Sequence, residues 1–246
     1  MYFRRPIVLF GDSLTQFAFG EADVNLGWAS LLCSAYQRRV DVLNRGFSGY
    51  NTRHALDLVP KLFTRESYDD VMPVFSTVFL GANDACLPGE RQHVPKEEYA
   101  ENLTQIIRSI RQSSKTKGDE DFPIIVITPP PVDSETWRRE LGLYEYFDRS
   151  NEIAREYGQA AKEVAKNTNC HCLDTWQLLN GSILETYRQH LSDGLHLSES
   201  GNRLLFEGLM ALIEAEFPHL APSKFVDGEY AKEGLQMEEA LWSDLC

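Results

Sequence analysis

Residues 7–14 read IVLFGDSL. Four consecutive apolar residues followed by Gly11-Asp12-Ser13 form the pattern of a strand buried on both faces that ends in a tight turn. Four further short β-rich runs lie at residues 40–44, 74–80, 124–128 and 171–173. Helix-like segments separate and follow them, near residues 28–38, 53–63, 96–113, 148–167 and 199–217. In one of these, Leu103, Ile106, Ile107 and Ile110 recur at helical spacing. Alternating β and α elements imply an α/β fold, a parallel sheet covered by helices on both faces. Five strands suit a three-layer, flavodoxin-like sandwich, although periodicity does not give the strand order. Punctuation agrees with these boundaries. The polar stretch 115–121 precedes the fourth run, and Pro129-Pro130-Pro131 forbids a helix directly after it.

The 246 residues fit one large domain, and no composition break argues for two. With 43% hydrophobic and 25% charged residues, a sizeable core is available. A formal net charge of -13 repels phosphate backbones and argues against nucleic-acid partners. The same charge disfavours docking on anionic membranes. No apolar stretch approaches the length of a membrane span, so no stable membrane insertion is expected. Arg4 and Arg5 precede an apolar run too short for the core of a signal peptide, and no small-residue cleavage site follows. The cysteines are Cys33, Cys86, Cys170, Cys172 and Cys246. An odd count without a secretory signal reads as reduced thiols in a cytoplasmic protein.

Open parallel sheets bind ligands at the carboxyl ends of their strands. The polar residues of interest collect there: Gly11-Asp12-Ser13 after the first run, Gly46-Phe47-Ser48-Gly49 after the second, and Gly81-Ala82-Asn83-Asp84 after the third. Ser192-Asp193-Gly194-Leu195-His196 precedes the last helix. Ser13 has two readings. It caps the following helix, or its hydroxyl stands at that helix's N-terminus as a nucleophile, where backbone N–H groups favour developing negative charge. Asp12 either braces that turn or simply starts the helix.

A serine nucleophile needs a base. Of the six histidines, His196 follows Asp193 by three residues, so one turn carries both a base and its orienting carboxylate. Alternatively Asp193-Gly194 is an ordinary turn and His196 a surface residue. Oxyanion donors are available in the N–H groups of Ser13 and Gly49 and the amide of Asn83, unless Gly49 and Asn83 serve only as turn residues.

In order and context, Ser13, Gly49, Asn83 and His196 resemble the four blocks of the SGNH (GDSL) hydrolase superfamily. VLNRGFSGYNTR, FLGANDA, ITPPPVDSETW and LSDGLHLSESGN look like the isoamyl-acetate-hydrolysing esterases within it. The resemblance covers residues 7–217. It implies a hydrolase domain over residues 1–217 followed by an acidic tail, 218–246. It also implies a flavodoxin-like fold, a Ser13-His196-Asp193 triad and an oxyanion hole from Ser13, Gly49 and Asn83. No metal or organic cofactor is implied, and the substrate is a small carboxylic ester, acetates among them. The same groups would serve a sugar O-acetyl esterase, a thioesterase or a lysophospholipase. A silent binding module would be expected to lack a triad member.

Other features carry less. Cys170-His171-Cys172 resembles a ligand set, but no second Cys or His cluster lies near it in sequence. Two cysteines on one strand face pack instead as small hydrophobes. Arg45 either binds a carboxylate or pairs with the acidic surface. Trp137, Tyr144 and Tyr146 either line a pocket or cover the core. Leu241, Trp242 and Leu245 in the tail fall at helical spacing. They suggest a short helix docked on its own domain or on a second subunit, which would make a homo-oligomer.

Overall fold

The computed structural model describes residues 4–21, 26–64, 72–114, 122–143 and 146–223. Five strands, β1 (Pro6–Gly11), β2 (Asp41–Gly46), β3 (Ser76–Phe79), β4 (Ile124–Ile127) and β5 (His171–Leu173), form one sheet in the order β2-β1-β3-β4-β5. Every pairing is parallel. This is the flavodoxin-like order, with its switch point between β1 and β3. All five strands fall where the apolar runs predict them, within one or two residues at each end.

The helices are α1 (Ser13–Gln16), α2 (Trp28–Ala35), α3 (Thr52–Leu62), α4 (Lys96–Ser114), α5 (Ser134–Glu140), α6 (Asn151–Asn167), α7 (Thr175–Leu178), α8 (Leu184–Tyr187) and α9 (Glu199–Glu216). The alternation of side chains along a strand sorts the core into two halves. Ile7 and Leu9 of β1 point to one face, where they join Trp28 and Leu32 of α2 and Leu205, Leu209 and Ile213 of α9. Val8 and Phe10 point to the other, with Val59 of α3, Leu103, Ile106 and Ile110 of α4 and Ala161 of α6. Both sheet faces are therefore covered, and the molecule has three layers.

Caps fix where the helices begin. Ser150 accepts from the Ile153 N–H and Ser198 from the Gly201 N–H. Asn51 and His54 form a reciprocal capping box on α3. Beyond α9 the chain stays on the domain: Leu220 and Ala221 are buried, and the Tyr36 hydroxyl donates to the Leu220 carbonyl at 2.7 Å. The apolar stripe expected at Leu241, Trp242 and Leu245 lies outside the described residues. No helix among the described residues is long and apolar enough to cross a membrane.

Candidate active site

Register places three strand ends side by side. Gly11 pairs with Gly46 of β2 and with Phe79 of β3. The loops that follow are then stitched together. Phe47 N–H donates to Gly11 O at 2.9 Å, Asp12 N–H to Phe79 O at 3.3 Å, and Ser48 N–H to the Gln16 side chain at 2.8 Å.

Ser13 is the first residue of α1, and the N-cap is Asp12, whose carboxylate accepts from Leu14 N–H at 2.9 Å. The two roles considered for Asp12 are thus one: it braces the turn by starting the helix. Capping does not engage the Ser13 hydroxyl. That oxygen lies 2.9 Å from Nε2 of His196, while Nδ1 of His196 lies 2.6 Å from Oδ2 of Asp193. The other Asp193 oxygen accepts from the backbone N–H groups of Leu195 and His196, at 2.9 and 2.8 Å. Burial pushes the Asp193 carboxyl up, but the His196 hydrogen bond and charge and these backbone donors outweigh it, and the group is held below its ordinary range.

The loop that carries this pair closes on itself. Ser192 N–H donates to His196 O at 2.8 Å, and Leu191 bridges to Leu197 in antiparallel fashion. Gly194 adopts φ +96°, and a Cβ there would stand 2.6 Å from both Asp133 O and Trp137 N. No other residue fits without moving the loop. Phe17 and Trp137 meet the His196 ring edge-on, with centroids 5.5 and 5.7 Å away.

His219 is exposed, and the other four histidines are engaged elsewhere. His54 accepts from Asn51 N–H, His93 contacts Cys86 O at 2.6 Å, His190 contacts Ser200 Oγ at 2.9 Å, and His171 faces Glu216 and Phe217. Cys172 in β5 and Cys170 just before it both pack against the core. Among the described residues no group of three His, Cys, Asp or Glu is arranged to hold a metal.

Gly49 and Asn83 stand on the same rim. As the first helical residue, Ser13 has an N–H that no helical carbonyl can accept. No acceptor among the described residues takes the Gly49 N–H, and Gly49 sits at φ +80°. The Asn83 amide gives one hydrogen to Tyr50 O at 2.9 Å and keeps the other free. A small cleft opens beside Ser13 and His196, lined on its apolar side by Leu14, Phe17 and Leu197.

Of the features given less weight, Trp137 packs against His196, whereas Tyr144 lies outside the described residues and Tyr146 is exposed. Arg45 donates to its neighbour's carbonyl, Asn44 O. Two residues carried no signal in the sequence and emerge only here: Gln92 and Arg149, both bonded to Asn83.

Residues 9–204 match the GDSL-like Lipase/Acylhydrolase family. The isoamyl acetate-hydrolyzing esterase 1 homolog of Bos taurus is 40% identical over 222 residues, covering 88% of this chain and 85% of that protein. Its Mus musculus counterpart is 39% identical over 237 residues, covering 94% and 91%. Among solved structures, the lipase/acylhydrolase from Enterococcus faecalis superposes with a TM-score of 0.62 at 29% identity, covering 86% of this chain and 96% of that one. The chain is a carboxylic ester hydrolase. Within that class it belongs to the GDSL-like lipase/acylhydrolase family.

Proposed function

We propose that Ser13, His196 and Asp193 are the catalytic triad of an esterase acting on small, acetate-type esters. The observation that carries this reading is the continuous line Ser13 Oγ–His196 Nε2 at 2.9 Å and His196 Nδ1–Asp193 Oδ2 at 2.6 Å. Ser13 attacks the ester carbonyl while His196 takes its proton. Asp193 holds the imidazole in the tautomer that leaves Nε2 free and stabilises the imidazolium once formed. The N–H groups of Ser13 and Gly49 and the amide of Asn83 receive the oxyanion. His196 returns the proton to the departing alcohol, and water then releases the acid from the acyl-enzyme.

The names of the Bos taurus and Mus musculus relatives support a small, acetate-type ester as the substrate. Among the described residues, Cys33, Cys86, Cys170 and Cys172 form no disulfide with one another, which fits a reducing, cytoplasmic setting.

A fluorophosphonate tests the reading. One adduct is expected, on Ser13 by peptide mass spectrometry, and Ser13→Ala should abolish both labelling and turnover without unfolding. An adduct on another serine, with turnover lost only when that serine is replaced, overturns the assignment. A panel of short alkyl acetates, acetylated sugars, thioesters and long-chain esters, ranked by kcat/KM, tests the substrate class.

A further inference from the structure

Asn83 is held by a network that does more than anchor it. Its Oδ1 accepts from Gln92 Nε2 at 3.1 Å and from the Arg149 guanidinium at 3.3 Å. Arginine can only donate, so this oxygen faces Arg149, and the amide nitrogen is turned towards Tyr50 O and the rim. The Gln92 Nε2 also donates to Gly49 O at 2.8 Å. One side-chain nitrogen therefore bridges the two loops that carry the second and third oxyanion donors.

Gln92 is itself fixed from two sides. Its Oε1 accepts from Arg149 at 3.2 Å, and its backbone carbonyl accepts from Asn51 at 2.9 Å. Arg149 is buried, donates to Ala82 O, stacks over Trp137 at 5.3 Å and pairs with Asp148 at 3.4 Å. Trp137 in turn meets the His196 ring.

We infer that Gln92, clamped by Arg149, is a positioning residue for the oxyanion hole: its amide ties Gly49 to Asn83 and holds the Asn83 N–H aimed at the developing charge. The inference rests on the reading of Gly49 and Asn83 as oxyanion donors. Donors contribute most when they need no reorganisation as charge develops. Removing the bridge lets both loops relax, a cost felt in the transition state more than in substrate binding.

The test compares kcat and KM for Gln92→Met, Asn83→Ala and the double variant, with melting temperatures. Gln92→Glu is a second variant that keeps the shape and the acceptor for Arg149 but loses the donor. Both Gln92 variants should lower kcat by about 10-fold with KM changed less than about 2-fold. Since Gln92 acts through Asn83, Gln92→Met should cost no more than about 2-fold further in the Asn83→Ala background. Both Gln92 variants retaining wild-type kcat, or full multiplicativity in the double variant, overturns the inference while leaving the oxyanion reading intact. If Asn83→Ala itself keeps wild-type kcat, the reading beneath it fails instead.

Discussion

Asp193 divides its work between two oxygens. Oδ1 takes the backbone N–H groups of Leu195 and His196, and Oδ2 takes the imidazole. In Asp193→Asn the amide can keep the first set through its oxygen but offers an N–H where His196 needs an acceptor. The imidazole then carries its proton on Nε2, facing Ser13. We expect kcat to fall by about 10⁴-fold with the melting temperature little changed. A loss under about 10-fold would remove Asp193 from the triad. His190→Ala serves as the comparison: His190 contacts Ser200 rather than Ser13, and its replacement should leave turnover unchanged. The Asp193-His196 pair was legible in the sequence because its geometry is local, three residues on one turn. Gln92 and Arg149 were not, because they stand 9 and 66 residues from Asn83 and neither residue type signals chemistry alone. Only the pairing of β3 with its neighbours and the return of the chain before α6 bring them to the same amide.

The loop of residues 191–197 carries Asp193 and His196 as one unit, and Gly194 is the point where it rests on the start of α5. A methyl group there meets backbone at 2.6 Å as well as an unfavourable φ of +96°. Gly89 separates these two effects, since it has φ +100° with open space around its would-be Cβ. Gly89→Ala should lose about 1 kcal/mol of stability with kcat unchanged. Gly194→Ala should lose more, and kcat should fall with it, because shifting the loop moves both Asp193 and His196. Urea titrations and turnover of the two variants decide this, and equal behaviour would deny the loop its positioning role. At this scale the sequence was readable where periodicity had room to act. The strands and the helices α2, α3, α4, α6 and α9 fell within a few residues of expectation. Helices α7 and α8 span four residues each and α5 spans seven, too few for an apolar pattern to declare itself, whereas the equally short α1 was expected from the turn at Ser13. The strand order was illegible for a different reason, since parallel pairing joins residues separated by a whole crossover.

Among the described residues, Asp12 and Asp84 are carboxyl groups that sit fully inside this acidic molecule and pull its stability down as pH rises. Burial raises Asp12 to about 7 and Asp84 to about 6, against the hydrogen bonds from Leu14 and from Thr52 that oppose the rise. Each has one oxygen with no hydrogen-bond partner. A carboxyl whose folded pKa lies above its unfolded value of 3.8 binds its proton more tightly when folded. Its contribution is fully present below that unfolded value and is lost as pH rises through the folded one. Asp193, held low, runs the other way, but its contribution is lost only in acid below the ordinary carboxylate range. Stability should therefore decline from about pH 4 to about pH 7, by roughly 1.4 kcal/mol for each tenfold gain in proton affinity that folding gives a buried carboxyl. A net charge of -13 adds self-repulsion of the same sign, but salt screens exposed charges and leaves buried ones largely unscreened. Asp84→Asn isolates the buried contribution. Its amide oxygen can still accept both Thr52 bonds, now 3.0 Å from the N–H and 2.5 Å from the hydroxyl, and no charge has to be desolvated. Urea unfolding at acid and alkaline pH, in high salt, should show Asp84→Asn more stable than wild type on the alkaline side and a shallower decline with pH. An unchanged slope would mean that Asp84 ionises without penalty and contributes nothing to the pH response.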